Sequence, residues 1–226
     1  MNDLIEATPP LRQTATPTEA RVRAIVASMG TGQAARFAWV AVLTVGVALF
    51  ELVRHALIAT QNPNLVPALL LLGAAVVPIS FVTLIHGLRL PYTIPTTMIA
   101  LTAGLGGVLG VVTAGLLEYD TLHRLPWLGV VAVAAIEESA KLLVPLTILI
   151  WGRYRRPADG LIIGVAAGAG FAILETMGYA FVTLIQSHGD IARVDGLLVL
   201  RGLLSPAAHM AWTGLATAAL WQRLSG

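Results

Sequence analysis

Long apolar runs alternate with short polar segments along most of the chain after residue 36. About 20 helical residues are needed to cross the hydrocarbon core of a membrane. The pattern therefore predicts an all-α fold, a polytopic membrane helix bundle with about six transmembrane helices. The predicted spans are 37–59, 65–86, 94–117, 126–150, 161–185 and 197–221.

The first 35 residues follow a different pattern, which predicts a cytoplasmic N-terminal tail (1–35) ahead of a transmembrane domain (36–226). Thr16 to Glu19 has the spacing of a capping box, with a proline at the first helical position. Apolar residues then recur at helical spacing as far as Gly30, which can end a helix. We expect an amphipathic helix that lies either on the membrane surface or against the cytoplasmic loops. Its apolar positions are Val22, Ile25, Val26 and Met29.

Composition supports a membrane protein. The chain is 57% hydrophobic and 12% charged, with a mean hydropathy of +0.81, whereas about a quarter of the residues in a soluble domain are charged. The absence of cysteine excludes disulfides, thiolate metal ligands and a cysteine nucleophile. The basic residues are scattered between apolar segments, so a nucleic-acid partner is not expected.

The arginines predict the orientation of the chain in the membrane. With the N-terminus inside, the predicted cytoplasmic segments carry most of the arginines outside the spans, as the positive-inside rule requires. The sequence therefore predicts a multi-pass protein with both termini in the cytoplasm. The predicted cytoplasmic arginines are Arg12, Arg21, Arg23, Arg36, Arg89, Arg153, Arg155, Arg156 and Arg223, and those opposite are Arg124 and Arg193.

Three of the predicted spans carry ionisable residues near the middle of the bilayer. Glu137 and Glu138 lie at the midpoint of the fourth span, Glu175 lies close to that of the fifth, and His209 lies at that of the sixth. A charge at this depth costs roughly 2.5–3.5 kcal/mol even on insertion scales, and such residues usually mark a functional site. We expect these side chains to meet in the interior of the bundle.

Lys141 is the only lysine of the chain and lies three and four residues after the paired glutamates. This spacing allows an ion pair within one helix, which is the structural alternative to a catalytic role. Gly160, Gly164 and Gly168 repeat every fourth residue, the pattern that lets membrane helices approach closely. Pro145 and Pro206 each leave a backbone carbonyl free within a span.

Several known intramembrane chemistries do not fit. None of the six serines lies in a GxSG context, every aspartate is predicted to lie in a tail or loop, and the HExxH motif is absent. The glutamates and the histidine allow two mechanisms. Either one glutamate acts as general base while the histidine stabilises the oxyanion, or two glutamates and the histidine hold a Zn²⁺-like ion.

Three motifs on successive predicted helices resemble one known family. EESAK (137–141), FAILET (171–176) and HMAWT (209–213) are similar to the motifs of the PrsW-type intramembrane proteases, relatives of the CAAX prenyl protease and bacteriocin-processing superfamily. The resemblance covers about residues 126–221. The family pattern has asparagine where this chain has Thr176.

The resemblance implies an intramembrane endopeptidase in a bacterial inner membrane, acting on a membrane-anchored protein such as an anti-sigma factor. The implied catalytic residues are Glu137, Glu138, Glu175, His209, Lys141 and Thr213, with Thr213 hydrogen-bonding within the site. If a divalent metal such as Zn²⁺ is bound, the expected ligands are Glu138, Glu175 and His209; otherwise no cofactor is expected. The alternatives are a proton- or ion-coupled transporter and a non-catalytic membrane scaffold.

Two further groups of polar residues are predicted to lie outside the site. Glu51, Arg54 and His55 have helical spacing and are expected to pair locally. Arg201 lies about two turns from His209, and we expect it either to snorkel to the membrane surface or to pair with Glu51.

Overall fold

The computed structural model describes residues 17–125, 127 and 129–224, with side chains from residue 36 onward. Over these residues the chain forms eight α-helices and no strand, which confirms the predicted all-α fold. The helices are α1 (Pro17–Thr60), α2 (Val66–Gly87), α3 (Thr96–Arg124), α4 (Gly129–Lys141), α5 (Leu143–Trp151), α6 (Pro157–Gln186), α7 (Ile191–Ser205) and α8 (Trp212–Leu224). A short 3₁₀ turn (Pro63–Leu65) precedes α2, and a π-helical turn (Pro206–Ala211) joins α7 to α8.

The helices match the predicted spans, and the protein is a multi-pass membrane protein. Four helical segments in the described part of the chain are long and apolar enough to cross a membrane. The fourth and sixth predicted spans are each interrupted, so their crossing of the membrane stays a prediction. The four long segments are Arg36–Thr60, Pro63–Gly87, Thr96–Arg124 and Pro157–Gln186.

The two interruptions lie beside ionisable residues and follow from proline. Helix α4 ends at Lys141, and Pro145 cannot donate a hydrogen bond to the carbonyl of that residue. Helix α7 ends just before Pro206, and the π-helical turn that follows contains His209. Single π-helical turns often occur at functional sites.

The N-terminal predictions are tested only in part. The helix begins at Pro17 and continues past Gly30 to Thr60, so the predicted end at Gly30 is wrong; a helical glycine costs only about 1 kcal/mol. Residues 1–16 and the predicted apolar side chains of the amphipathic helix lie outside the described residues. Backbone proximity groups the chain into Met1–Arg36 and Phe37–Gly226. The assignment of a cytoplasmic tail and a protease domain stays a prediction.

Helix α6 lies at the centre of the bundle and contacts α2, α3, α7 and α8. A Cβ atom at Gly164 would lie 2.5 Å from the carbonyl oxygen of Thr213, and one at Gly168 would lie 2.5 Å from that of His209. The repeated glycines therefore let α8 and the π-helical turn pack directly on α6, as predicted from their spacing.

Helix α3 packs against another side of α6 and runs parallel to it. A Cβ atom at Gly106 would lie 3.0 Å from Ala167, and one at Gly110 would lie 2.9 Å from the Phe171 ring. A step of four residues along α3 thus corresponds to a step of four residues along α6. The two helices keep the same direction and the same register through this contact.

The starts of α3 and α6 are tied together by Asp159, which is completely buried. Its carboxylate accepts hydrogen bonds from the backbone N–H of Arg156 (2.9 Å) and from the N–H and hydroxyl of Thr93 (2.5 and 3.2 Å). We call Asp159, Thr93 and Arg156 the helix-start clamp. The prediction that every aspartate lies in a tail or loop is wrong, because Asp120, Asp159 and Asp195 lie within helices.

The same end of the bundle also holds the end of α8. The indole N–H of Trp221 donates to the carbonyl of Tyr154 (3.0 Å), and the Arg156 guanidinium donates to the carbonyl of Pro91 (3.1 Å). The loops before α3 and before α6 and the last turns of α8 therefore lie on one side of the protein.

Candidate active site

The predicted site residues of three chain segments meet in the structure. Glu137 on α4, Glu175 on α6 and His209 in the π-helical turn each offer one oxygen or nitrogen atom, and these atoms lie within 4.8 Å of one another. We call these residues the Glu–Glu–His group. The sequence placed them at one depth; the structure adds that their oxygen and nitrogen atoms lie close together.

Packing fixes the imidazole of His209 against α6. Its Nε2 lies 3.3 Å from Oε2 of Glu175, and its ring lies 5.7 Å from the Phe171 ring, centroid to centroid. The residue is only 9% exposed. Among the described residues, Nδ1 of His209 is buried without a hydrogen-bond partner. A buried polar atom of this kind is costly unless a further group binds it.

Lys141 supplies the positive charge for the glutamates of α4. Its ammonium lies 2.7 Å from Oε1 of Glu138 and 3.5 Å from Oε2 of Glu137, so both predicted i,i+3 and i,i+4 ion pairs are present. The lysine side chain is completely buried and its ammonium lies 4.6 Å from the centroid of the Phe171 ring. The buried ammonium therefore lies next to both carboxylates and compensates part of their charge.

Glu138 differs from Glu137 in its position. Among the described residues, the group of three possible metal ligands contains Glu137 and not Glu138. Glu138 is directed to Lys141 instead, and its side chain is about one-third exposed. Successive residues of a helix diverge by about 100°, so the two glutamates leave the helix in different directions.

Arg201 is a member of the site that the sequence did not identify. Its guanidinium donates to Oε2 of Glu175 (2.5 Å) and to the hydroxyl of Thr176 (2.9 Å), and it lies 4.6 Å from the centroid of the Tyr179 ring. Neither predicted position of Arg201 is correct, because its guanidinium pairs with Glu175 in the interior, while Glu51 pairs with Arg54 within α1 (2.7 Å). The position of Arg201 two turns before His209 was the available signal.

The two threonines of the motifs have different surroundings. Thr176 is buried and accepts the hydrogen bond from Arg201, so it forms a polar contact at the position where the family pattern has asparagine. The Thr213 hydroxyl is buried and has no hydrogen-bond partner among the described residues. The expected role of Thr213 within the site therefore stays a prediction.

The Glu–Glu–His group suits a divalent metal of the zinc type. Zn²⁺ in catalytic sites takes three oxygen or nitrogen ligands from the protein and keeps one position for water. Two carboxylates and one imidazole provide such a set. In addition, Nδ1 of His209 is buried and has no hydrogen-bond partner among the described residues. The donor set therefore fits the group.

A family model supplies the decisive comparison. The model described as "PrsW family intramembrane metalloprotease" matches residues 94–225, more than half of the chain. The chain belongs to the PrsW family. No significant match to a curated protein was found, and none to a solved structure.

PrsW family membership confirms the resemblance and supports protease activity within the membrane. The match begins at residue 94, so it includes α3 as well as the predicted 126–221. It contains every member of the Glu–Glu–His group together with Lys141 and Arg201. A PrsW family assignment also favours the protease over the transporter that the sequence left open.

Proposed function

We propose that this protein hydrolyses a peptide bond in a membrane-anchored protein at the Glu–Glu–His group. The observation that carries the proposal is the convergence of Glu137, Glu175 and His209 within 4.8 Å, inside the region that matches an intramembrane metalloprotease family. Peptide hydrolysis in a membrane needs a water molecule, a proton acceptor and groups that stabilise a developing oxyanion. The pocket supplies candidates for each role.

In this proposal Glu137, Glu175 and His209 hold a divalent metal such as Zn²⁺. The bound ion would lower the pKa of a water molecule and polarise the scissile carbonyl. Glu138 lies beside this group and is held by Lys141, so it is the proposed acceptor of the proton from the attacking water. The ion pair with Lys141 holds this carboxylate in place beside the group.

Arg201 has a supporting role in the proposal. By donating to Glu175 and Thr176 at once, it fixes the direction of the Glu175 carboxylate towards His209. Outer partners of metal ligands commonly fix ligand orientation in this way, and their loss costs about 10–100-fold in metal affinity or activity. Arg201 is thus a positioning residue.

The proposed location is the bacterial inner membrane, with both termini in the cytoplasm. The loop before α3, with Arg89, and the loop before α6, with three arginines, lie on one side of the protein with the last turns of α8, which supports placing them together in the cytoplasm. An anti-sigma factor is the proposed type of substrate, on the basis of the family resemblance. The lipid bilayer is the second partner.

The test measures metal content and cleavage in parallel. We expect purified protein to bind close to one divalent metal ion per chain, and we expect Glu137→Gln, Glu175→Gln and His209→Ala to lose it. Glu138→Gln should retain the metal and lose cleavage, because its proposed role is proton transfer. Glu51→Gln, a glutamate paired with an arginine outside the site, is the matched control and should retain both.

Cleavage is read from membrane-protein fragments in cells that carry the wild type or a variant at equal abundance. Fragments that disappear with Glu137→Gln support the proposal. Identical fragments in wild type and all four site variants would falsify it, as would metal that binds equally to all of them.

A further inference from the structure

A groove leads away from the Glu–Glu–His group between α3 and α6. Its volume is about 490 Å³, and its lining includes Glu137 and Glu175. Ligand sites in proteins occupy roughly 300–1,000 Å³. The groove continues along α3 to Glu118 and along α6 to Val182, away from the helix-start clamp.

The register between the two helices gives the position of Glu118. Gly110 faces Phe171, and α3 and α6 are parallel, so Glu118 lies at the level of Tyr179. Four helical residues separate this level from that of Glu175, a rise of about 6 Å. An extended chain covers that distance in about two residues, at 3.3 Å per residue.

Glu118 differs from the other two acidic residues of the groove. Glu137 pairs with Lys141 and Glu175 with Arg201. Within the described residues, Glu118 takes part in no ion pair or side-chain hydrogen bond, and it is partly buried in the groove wall. A carboxylate in this position is complementary to a cationic side chain and repels the phosphate of a lipid headgroup.

Two glycines keep the groove open. A Cβ atom at Gly115 on α3 or at Gly178 on α6 would have no other atom of the described protein within 4 Å. Both residues line the groove, so neither is needed for contact between helices. Their missing side chains leave space beside the reacting groups for another chain.

We propose that this groove binds an unwound, extended stretch of the substrate, with a lysine or arginine about two residues from the cleaved bond placed against Glu118. The inference rests on the proposed function and adds the site of substrate entry and the residue that the enzyme selects. Glu118 is a specificity-determining residue, and Gly115 and Gly178 provide the path for the substrate main chain.

The experiment fills the groove without disturbing helix packing. The variants are Gly178→Leu and Gly115→Leu, with Gly104→Leu as the matched control. Gly104 lies on α3, also has no atom within 4 Å of an added Cβ, and does not line the groove. The substrates are the cell's own membrane proteins, defined as those whose fragments disappear with Glu137→Gln.

We expect both groove variants to reduce this cleavage at least about tenfold, since misplacement of a substrate by 1 Å can cost about 100-fold. Cleavage by Gly104→Leu should stay within about twofold of that by the wild type, because the added side chain lies on the surface outside the groove. All three should retain their metal, which separates a blocked groove from a collapsed site. Wild-type cleavage in both groove variants would overturn the inference.

The new ends of the fragments test the role of Glu118. Lysine or arginine should be enriched within two residues of the cleaved bond, and Glu118→Gln should reduce cleavage of those substrates at least about tenfold, by loss of a charged contact. Cleavage sites without such enrichment would overturn the assignment of a cationic residue. If no fragment depends on Glu137, the proposed function itself fails, and the groove inference fails with it.

Discussion

Helices α1 and α6 have nearly the same hydropathy and opposite surroundings. The segment Arg36–Thr60 of α1 has a mean hydropathy of 1.9, and only 6% of its most apolar window is buried in the protein. For α6 the mean hydropathy is 1.7, and 72% of the corresponding window is buried. In a membrane, apolar character places a helix in the bilayer without deciding whether it faces lipid or protein.

Small residues explain the difference. Helix α6 has five glycines, whereas the Arg36–Thr60 segment of α1 has only Gly46. At Gly164 and Gly168 the backbone of α8 and of the π-helical turn takes the space of the missing side chain. Close packing by small residues therefore determines which helix becomes the centre of the site.

The two helices also use the same pair of charges differently. Glu51 and Arg54 lie one turn apart on α1 and neutralise each other locally, with 41% and 27% of their side chains exposed. Glu175 on α6 pairs with Arg201 on α7, and both side chains are at most one-fifth exposed. The first pair lies within α1 and connects it to no other helix, whereas the second joins α6 and α7 at the site.

Removing each arginine should show this difference most strongly. Arg201→Ala leaves the Glu175 carboxylate without its cation in the interior, and breaking a buried pair in this way costs about 3–5 kcal/mol. Arg54→Ala removes a local pair on a lipid-facing helix and should change stability much less. Thermal unfolding of both variants in detergent, with metal content measured beside it, checks the prediction; equal losses of stability would contradict it.

Adding one methyl group to each helix should have the next largest effect. In Gly164→Ala the new Cβ meets the backbone of Thr213 and Gly214, which cannot rotate away. Such overpacking costs about 1–3 kcal/mol. In Gly46→Ala the new Cβ meets only the side chain of Val76, and the loss of stability should be smaller. Denaturation in mixed micelles would measure both, and the prediction is wrong if Gly46→Ala is the less stable variant.

The smallest effect is expected for the threonine bound by Arg201. Thr176→Val removes the acceptor of one hydrogen bond, worth about 1 kcal/mol. Cleavage by Thr176→Val should therefore be lower than by the wild type. Thr176→Asn restores an acceptor and should bring cleavage back towards the wild-type level. Thr60→Val on α1 is the control, because its hydroxyl donates to the carbonyl of Ala56 and accepts from the backbone N–H of Asn62, both outside the site. Cleavage that Thr176→Val leaves unchanged would separate Thr176 from the site.

Local spacing was enough to predict much of this structure. The ion pairs of Lys141 lie within one helix, and the close approach at Gly160, Gly164 and Gly168 follows from their period of four. The helix interruptions near Lys141 and His209 follow from Pro145 and Pro206. In each of these cases, the contact or the break depends on residues a few positions apart.

Contacts between distant segments could not be predicted in the same way. Arg201 reaches Glu175 only because α7 packs beside α6, and sequence spacing does not give the rotation of one helix against another. For the same reason, the sequence could not decide which of Glu137 and Glu138 joins Glu175 and His209. The groove also depends on the parallel packing of α3 and α6.

The helix-start clamp has a mechanical consequence for these two helices. Asp159 ties the starts of α3 and α6 through Thr93 and Arg156, while the groove lies towards their other ends. The joined starts act as the pivot for any change in the angle between the two helices. A small change of the angle between them moves the free ends furthest, so bending of α3 against α6 widens the bundle at Glu118 more than at the clamp.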